Sequence, residues 1–335
     1  MLKTLQFGII GLGHFGKHYA RLLQEISGVK LVKTSNTSAE TDEIISNKEI
    51  NCVVIATPPS THKDLIIKSL RAGKHVFVEK PMVLSVSEAK AVKKELEKNK
   101  NLVFMVGFQY VFNDHIRYIK EHIADLGVVK YVVGENLYCG PLRADVGSFI
   151  DAGIHDLSVL EYLFSPGKVV KVAGAKRALG NSVNDDFTAV TVTFQSGLMA
   201  HFLTSWYWPE KVRKVTLVGD KGMALYNDRD ENTKVFSSLT QESKQVSSPL
   251  VRLENKLKWI KNNFPVWSGN KSSLLLSGVI DQPPTVSISA GEPLKNELQH
   301  FIECVNTGSQ PLTGIEFGIK VTKMMEEISK RIVKL

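Results

Sequence analysis

Apolar and polar positions follow two different patterns along this chain, and the changeover divides it. In the first third, short uninterrupted apolar runs are separated by amphipathic stretches. Leu5–Ile10 reads as a strand, Phe15–Ile26 as a helix and Val29–Val32 as a second strand. Cys52–Ala56 is a third apolar run, closed by Thr57-Pro58-Pro59. Thr61-His62-Lys63-Asp64 then reads as a capping box, and Leu65, Ile66 and Leu70 follow at helical spacing until Gly73. Val76–Val78 is a further strand. Ser85-Val86-Ser87-Glu88 is a second capping box, opening a helix through Lys98, and Leu102–Val106 is the next strand. Uninterrupted apolar strands alternating with helices predict a doubly wound parallel sheet covered on both faces, an α/β fold.

From about Val128 the pattern becomes strand after strand. Val169–Ala175, Ala189–Phe194, Leu198–Ser205, Val212–Val218 and Met223–Tyr226 are the runs, and Gln195-Ser196-Gly197 and Asp220-Lys221-Gly222 read as hairpin turns. These predict a largely antiparallel sheet, interrupted by one helical stretch at Asp151–Phe164. Residues 229–290 are polar, with a helix predicted at Leu250–Asn262. A helical pair, Leu294–Val305 and Phe317–Ile332, closes the chain. There is no internal repeat.

Composition narrows the function classes. The chain has 335 residues, is 43% hydrophobic and 23% charged, and has 24 glycines and 12 prolines. That suits a two-domain globular protein and excludes disorder, collagen and low complexity. No apolar run approaches the ~18 residues a membrane-spanning helix needs. Met1 to Ile10 lacks the pattern of a secretory signal, so the expected compartment is the cytoplasm. Cys52, Cys139 and Cys304 lie far apart, which argues against a disulfide framework or a cysteine zinc site. The net charge of +8 suits an anionic ligand. The densest basic stretch, Lys90 to Lys100, is interleaved with Glu95 and Glu97, as on a solvated helix face, and no nucleic-acid-binding motif accompanies it.

Gly11-Leu12-Gly13-His14-Phe15-Gly16 is G-x-G-x-x-G between a predicted strand and a predicted helix. The first glycine permits the turn, the second lets the backbone approach a pyrophosphate, and the third lets helix and strand pack closely. The plain alternative is a glycine-rich turn. The acidic residue that binds the ribose 2′-hydroxyl in NAD enzymes is expected about 20 residues further on. Asn36 stands there, within Lys33-Thr34-Ser35-Asn36-Thr37-Ser38, so NAD and NADP both remain open.

Three further segments give the chain a specific likeness. They are Ala56-Thr57-Pro58-Pro59-Ser60-Thr61-His62, Gly73-Lys74-His75-Val76-Phe77-Val78-Glu79-Lys80-Pro81 and Asp151-Ala152-Gly153-Ile154-His155-Asp156. With the glycine loop, they resemble the glucose–fructose oxidoreductase / inositol dehydrogenase / MocA family. Gly197, the stretch 211–222 and Glu292-Pro293-Leu294-Lys295-Asn296-Glu297-Leu298 are also similar, so the likeness covers nearly the whole chain.

The resemblance implies a Rossmann domain over residues 1–113. Residues 114–335 would form a substrate-binding and oligomerisation domain with an open, mostly antiparallel sheet, through which members associate as homo-oligomers. It implies an NAD(P)-dependent oxidoreductase of sugars or polyols. Gly13–His18 and Gly140-Pro141-Leu142-Arg143-Ala144-Asp145-Val146-Gly147 look most like the nucleotide-sugar branch, which includes UDP-N-acetylglucosamine 3-dehydrogenases. The alternatives are a dehydrogenase of free monosaccharides or myo-inositol, and a dinucleotide sensor without turnover.

The residues expected at the site follow from both arguments. Gly11, Gly13, His14, Phe15, Gly16, Asn36, Thr57, Pro58, His62, Glu79 and Lys80 are the expected cofactor contacts. His62 has the alternative of simply starting a helix. Oxidising an alcohol also requires removal of a proton, a task suited to histidine. His155 is the expected base. Asp151, four residues earlier on a helix, would orient it, favour its protonated form or bind a substrate hydroxyl. Lys80 would stabilise a developing alkoxide. Lys80, Arg143, Asp151 and His155 form the expected substrate contacts, with no metal.

Three departures from the family pattern stand out. Only 17 residues, Ser35 to Asn51, separate the second and third apolar runs, room for one short helix. Ser158 stands where many members have a second Asp, and Val111 where an Arg is common.

Overall fold

The computed structural model describes residues 4–140, 142–179, 184–229, 232–237, 285–288 and 291–335. The predicted helix at Leu250–Asn262 lies outside the described residues.

The first sheet is parallel and five-stranded. Its strands are β1 (Leu5–Ile10), β2 (Val29–Ser35), β3 (Cys52–Ile55), β4 (His75–Glu79) and β5 (Phe104–Gly107), in the order β2-β1-β3-β4-β5. The β3 strand is buried along its whole length, as its unbroken apolar run requires, and Cys52 is a buried free thiol within it. The helices of this layer are α1 (His14–Glu25), α2 (Ser38–Ser46), α3 (His62–Arg71) and α4 (Val86–Leu96). The short Ser35–Asn51 connection holds one nine-residue helix, α2, with no extra strand. Thr37 caps α2 in a complete capping box with Glu40.

The two capping boxes expected from the sequence fare differently. Ser85 accepts a hydrogen bond from Glu88 N at the start of α4, while the Glu88 carboxylate reaches back to Leu84 N. Thr61 makes no cap. Pro59 starts a 3₁₀ turn there, and the Thr61 hydroxyl instead donates to Pro58 O.

A short helix, α5 (Asp114–Glu121), capped by Asn113, leads into the second sheet. That sheet has nine strands: β6 (Val129–Leu137), β7 (Val169–Arg177), β8 (Phe187–Phe194), β9 (Met199–Ser205), β10 (Val212–Gly219), β11 (Gly222–Asn227), β12 (Asn232–Ser237), β13 (Thr285–Ser287) and β14 (Val333–Lys334). Their order is β13-β12-β11-β10-β6-β9-β8-β7-β14. Among the described residues of this sheet, only β6–β9 and β7–β14 pair in parallel. The predicted turns at 195–197 and 220–222 join β8 to β9 and β10 to β11. Burial alternates strictly along β8, so one face is packed inward while the other is left more open; the helix that interrupts the strands is α6 (Ile154–Phe164).

The last two helices, α7 (Pro293–Thr307) and α8 (Ile315–Arg331), return to the first sheet. Thr313 between them exchanges hydrogen bonds with both backbone groups of Val106 on β5. Gly318 on α8 leaves no room for a Cβ beside Met82. The end of the chain therefore helps to build the layer that its first third begins. Among the described residues, no helix is long and apolar enough to cross a membrane.

Candidate active site

In a doubly wound sheet the ligand crevice opens where the strand order reverses, outside the carboxyl ends of the strands. Here that point lies between β1 and β3, and the glycine turn follows β1 there. Gly11 has φ of +96°, and a Cβ on it would meet Ala56 O at 2.6 Å. A Cβ on Gly16 would fall 1.9 Å from Gly11 O. A Cβ on Gly13 would meet nothing within 4 Å: the space beside it is open. Gly13 is also the N-cap of α1 and supplies no side-chain cap, so the first-turn N–H groups are left for another acceptor. This is a cradle for a pyrophosphate.

These three roles make a testable contrast. Gly16→Ala is expected to lower the melting temperature, because the backbone must shift at a cost of about 1–3 kcal/mol, and to weaken cofactor binding as well. Gly13→Ala is expected to melt like the parent yet bind the cofactor at least roughly tenfold more weakly. Thermal melts and titration with reduced cofactor read both.

Two clefts flank the turn. The larger, of about 690 Å³, is lined by Gly11, Gly13, Asn36, Thr57, Pro58 and Lys68 among others. It fits the adenosine half of a dinucleotide. Asn36 is tied in place, its side-chain oxygen accepting from Leu12 N at 2.8 Å. The Glu40 carboxylate accepts from Asn36 N and Thr37 N, and Asp42 and Asp64 line the cleft. The smaller cleft, of about 240 Å³, is lined by His14, Phe15, Thr57, Pro58, Glu79, Lys80 and Arg143. It fits the nicotinamide half.

His62 lines neither cleft. It is fully buried at the first position of α3, with Nδ1 2.8 Å from Pro81 O and Nε2 2.9 Å from Thr57 O. The ring lies between the Thr57-Pro58 loop and the Lys80-Pro81 turn; burial pushes its basicity down, and the neutral ring donates to one of the two carbonyls. Its expected place among the cofactor contacts is thereby corrected to a structural one behind them.

Lys80 leaves the end of β4 and reaches across to the second half of the chain. Its ammonium donates to Asp151 O at 2.7 Å and to Asp151 Oδ1 at 3.2 Å. Asp151 also accepts from Arg143 Nη1 at 3.0 Å and from Tyr138 Oη at 3.1 Å. Arg143 is held in turn by a two-pronged pairing with Asp145. Burial raises the Asp151 pKa, but Lys80 and Arg143 outweigh it, so the carboxyl is held below its usual range and stays ionised.

The expected pairing of Asp151 with His155 does not form. Phe149–Gly153 is a turn of π-helix ahead of α6, so residues 151 and 155 are not spaced as in a regular α-helix. The Asp151 oxygens are taken by Lys80, Arg143 and Tyr138, and this carboxylate orients Lys80 instead of the imidazole. His155, like His62, lines neither of the two clefts; it is buried against the ring of Tyr110, with ring centroids 4.7 Å apart. Its Nδ1 has no hydrogen-bond partner among the described residues. Burial first, then the charges of Lys80 and Arg213, push its pKa well below the ordinary histidine value. The structure therefore favours the neutral ring, against the expectation that a neighbouring carboxylate would favour the charged one.

Several groups at this site escaped the sequence reading. Arg213 on β10 lies with its guanidinium 5.3 Å from the Tyr110 ring centroid. It is a cation beside a tyrosine whose chain neighbour, Val111, is wholly buried. Asp156 packs beside Gly134, accepts from Asn136 Nδ2 at 2.7 Å, and has a pKa pushed up by burial to about 7. Ser158, singled out in the sequence, is buried and donates to His155 O. Strand register sets Arg213 opposite Asn136, which reaches Asp156 on α6, and Tyr138, just past the end of β6, reaches Asp151 ahead of it. Among the described residues, no group of three or more His, Cys, Asp or Glu is placed to hold a metal ion.

Known proteins are similar to this chain along most of its length. The model of an oxidoreductase family with an NAD-binding Rossmann fold matches residues 5–108, and that of a GFO/IDH/MocA C-terminal domain matches residues 127–225. The scyllo-inositol 2-dehydrogenase (NAD(+)) of Bacillus subtilis (strain 168) is 30% identical over 361 aligned positions, 96% of this chain and 94% of that one. The UDP-N-acetylglucosamine 3-dehydrogenase of Acidithiobacillus ferrooxidans is 27% identical over 231 positions, 64% of this chain and 71% of that one. A solved structure of that dehydrogenase, GnnA, superimposes with a TM-score of 0.78 over 99% of this chain and 98% of that one, at 19% identity, a likeness of fold. Its glycine turn, its two sheets and these matches together make this chain a member of the GFO/IDH/MocA family of NAD(P)-dependent oxidoreductases.

Proposed function

We propose that this enzyme moves a hydride between a nicotinamide dinucleotide and a secondary alcohol carbon of a sugar, and that the sugar is carried on a nucleotide. The observation that carries the reading is the junction of Lys80, Asp151 and Arg143 at the smaller cleft beside the glycine turn. When bound, the nicotinamide supplies the hydride acceptor or donor.

The chain's own residues do the rest. The backbone around Gly11, Gly13 and Gly16 holds the pyrophosphate. Thr57 and Pro58 wall the dinucleotide on the β3 side. Asp151, kept ionised, fixes the Lys80 ammonium, which faces the place where a substrate oxygen gathers negative charge. His155, neutral and buried, takes the hydroxyl proton in oxidation and returns it in reduction. Its lowered basicity suits the return step. Arg143 stands at the mouth of the same cleft as a fixed cation for an anionic substrate.

A second reading is a neutral cyclitol substrate. It is favoured by the identity with scyllo-inositol 2-dehydrogenase over nearly the whole of both chains. Steady-state absorbance of reduced cofactor over UDP-sugars, free hexoses and inositols, with NAD and with NADP, separates the two. Turnover of UDP-sugars with kcat/KM well above that of inositols supports the first. Turnover of inositols alone establishes the second, and no turnover of any hydroxyl substrate removes both.

A further inference from the structure

Beside Lys80, where Glu79 forms part of the smaller cleft's wall, two carboxyl groups meet one phenol. Tyr19 Oη on α1 lies 2.6 Å from Glu79 Oε1 and 2.9 Å from Glu297 Oε1 on α7. Tyr19 and Glu297 are fully buried and Glu79 nearly so. Phe77 packs edge-on to Tyr19, and Phe301 packs edge-on to Phe77, so the surroundings are apolar.

A hydroxyl has one proton. It cannot donate to two carboxylates, and a carboxylate facing its lone pairs at 2.9 Å would be repelled. Both contacts are hydrogen bonds only if one carboxyl group carries a proton and donates it to the phenol oxygen. The surroundings identify which. Glu79 receives a second donor, Lys80 N, on Oε2 at 3.1 Å, and the Lys80 ammonium favours its charge. Glu297 has neither aid. Its Oε2 has no partner among the described residues, and the groups acting on it are Tyr19 from α1 and Glu79 from β4. Two cations close in sequence to Tyr19 and Glu297, Arg21 and Lys295, are engaged at the surface with Glu25 and Glu292.

We propose that Glu297 carries a proton at neutral pH and, through Tyr19, holds Glu79 as the carboxylate that anchors the backbone of Lys80. The chain of donors runs from Glu297 to Tyr19 to Glu79, with Lys80 N donating to Glu79 from the other side. It joins the helix of the glycine loop, the strand that carries Lys80 and a helix nearly 300 residues away in sequence. Burial pushes the Glu297 pKa well up, and the Glu79 charge pushes it further. Glu297 is a positioning residue: it touches neither cleft. The proton assignment stands on this geometry alone, whereas its effect on turnover rests on the role proposed for Lys80.

Protein labelled with ¹³C at glutamate carboxyl carbons tests the assignment. One signal is expected to stay at the protonated position at pH 7 and to vanish in Glu297→Gln. A Glu297 signal titrating with exposed glutamates near about 4.3 overturns it.

Stability supplies a second reading. The unfolded chain releases this proton in the ordinary carboxylate range and the folded chain keeps it. Stability is therefore lost as pH rises from that range towards the folded pKa. Glu297→Gln lacks this loss, so its melting temperature is expected to gain on the parent's as pH rises from 5 to 8. A gap that does not change with pH counts against the proposal.

Turnover then tests the positioning role. Glu297→Leu leaves the phenol oxygen without a donor and is expected to lower kcat roughly tenfold with little change in cofactor affinity. Glu297→Gln, whose amide can donate, restores it. Equal kcat in the two variants overturns the positioning role. An unchanged kcat in Lys80→Met instead overturns the proposed function and leaves the carbon signal to judge the proton.

Discussion

Lys80→Met is expected to lower kcat by roughly 10²–10³-fold, the scale for loss of one oriented donor at a developing oxyanion, with cofactor affinity within about threefold of the parent. Methionine keeps the length and the apolar stem of lysine and removes the charge. The fold should survive, because Asp151 keeps Arg143 and Tyr138 as partners when Lys80 is gone. Cofactor binding should survive because the phosphate cradle belongs to the glycine turn. Steady-state kinetics with a titration of reduced cofactor separate the two quantities. A variant that turns over like the parent would show that Lys80 is merely the structural partner of Asp151.

His155→Gln is expected to cost roughly 10²–10⁴-fold in kcat, the range for a removed general base. The parent's pH profile carries a sharper expectation. The base must be neutral to accept a proton. Burial disfavours the imidazolium, and Lys80 and Arg213 add to that. The ring therefore charges only below the ordinary histidine range, and oxidation should persist to more acid pH than an unperturbed histidine permits. The same depressed pKa makes stability fall as pH drops below the unfolded histidine value, where the unfolded chain binds the proton first. Arg213→Gln removes one of the two cations. It should shift the acid limb of kcat/KM upward in pH, with Lys80 and the glycine turn untouched. A limb that stays in place would mean that the group titrating there is not His155.

Much of the architecture was legible because the physics that builds it is local. Four successive buried residues in β3 mark a strand covered on both faces, and alternation in β8 marks one covered on a single face. The glycines betray themselves by spacing, since only a residue without a Cβ fits at Gly11 and Gly16. The shortness of the Ser35–Asn51 stretch bounded what could fit there, and α2 is what does.

Errors arose where one local pattern has two physical outcomes. Thr61-x-x-Asp64 has the spacing of a capping box, but Pro59 starts a tighter turn and turns the threonine hydroxyl back on Pro58. Asp151 and His155 have the spacing of helical neighbours, but the π-turn separates them and three stronger donors claim the carboxylate. His62 lies in a segment that walls the cleft, yet its side chain points behind it.

The sequence by itself determined the strand–turn–helix that cradles a dinucleotide and the two sheets, and it put forward Lys80, Arg143, Asp151 and His155 as the candidates for the reaction. These depend on side-chain size, periodicity and turn geometry within a few residues. Tertiary structure alone decided which carboxylate serves which cation, that Arg213 bears on His155, and that the Tyr19 phenol meets the carboxyl groups of both Glu79 and Glu297. Electrostatic interactions act through space and strengthen with burial, and neither distance nor burial between remote segments is written in their order along the chain.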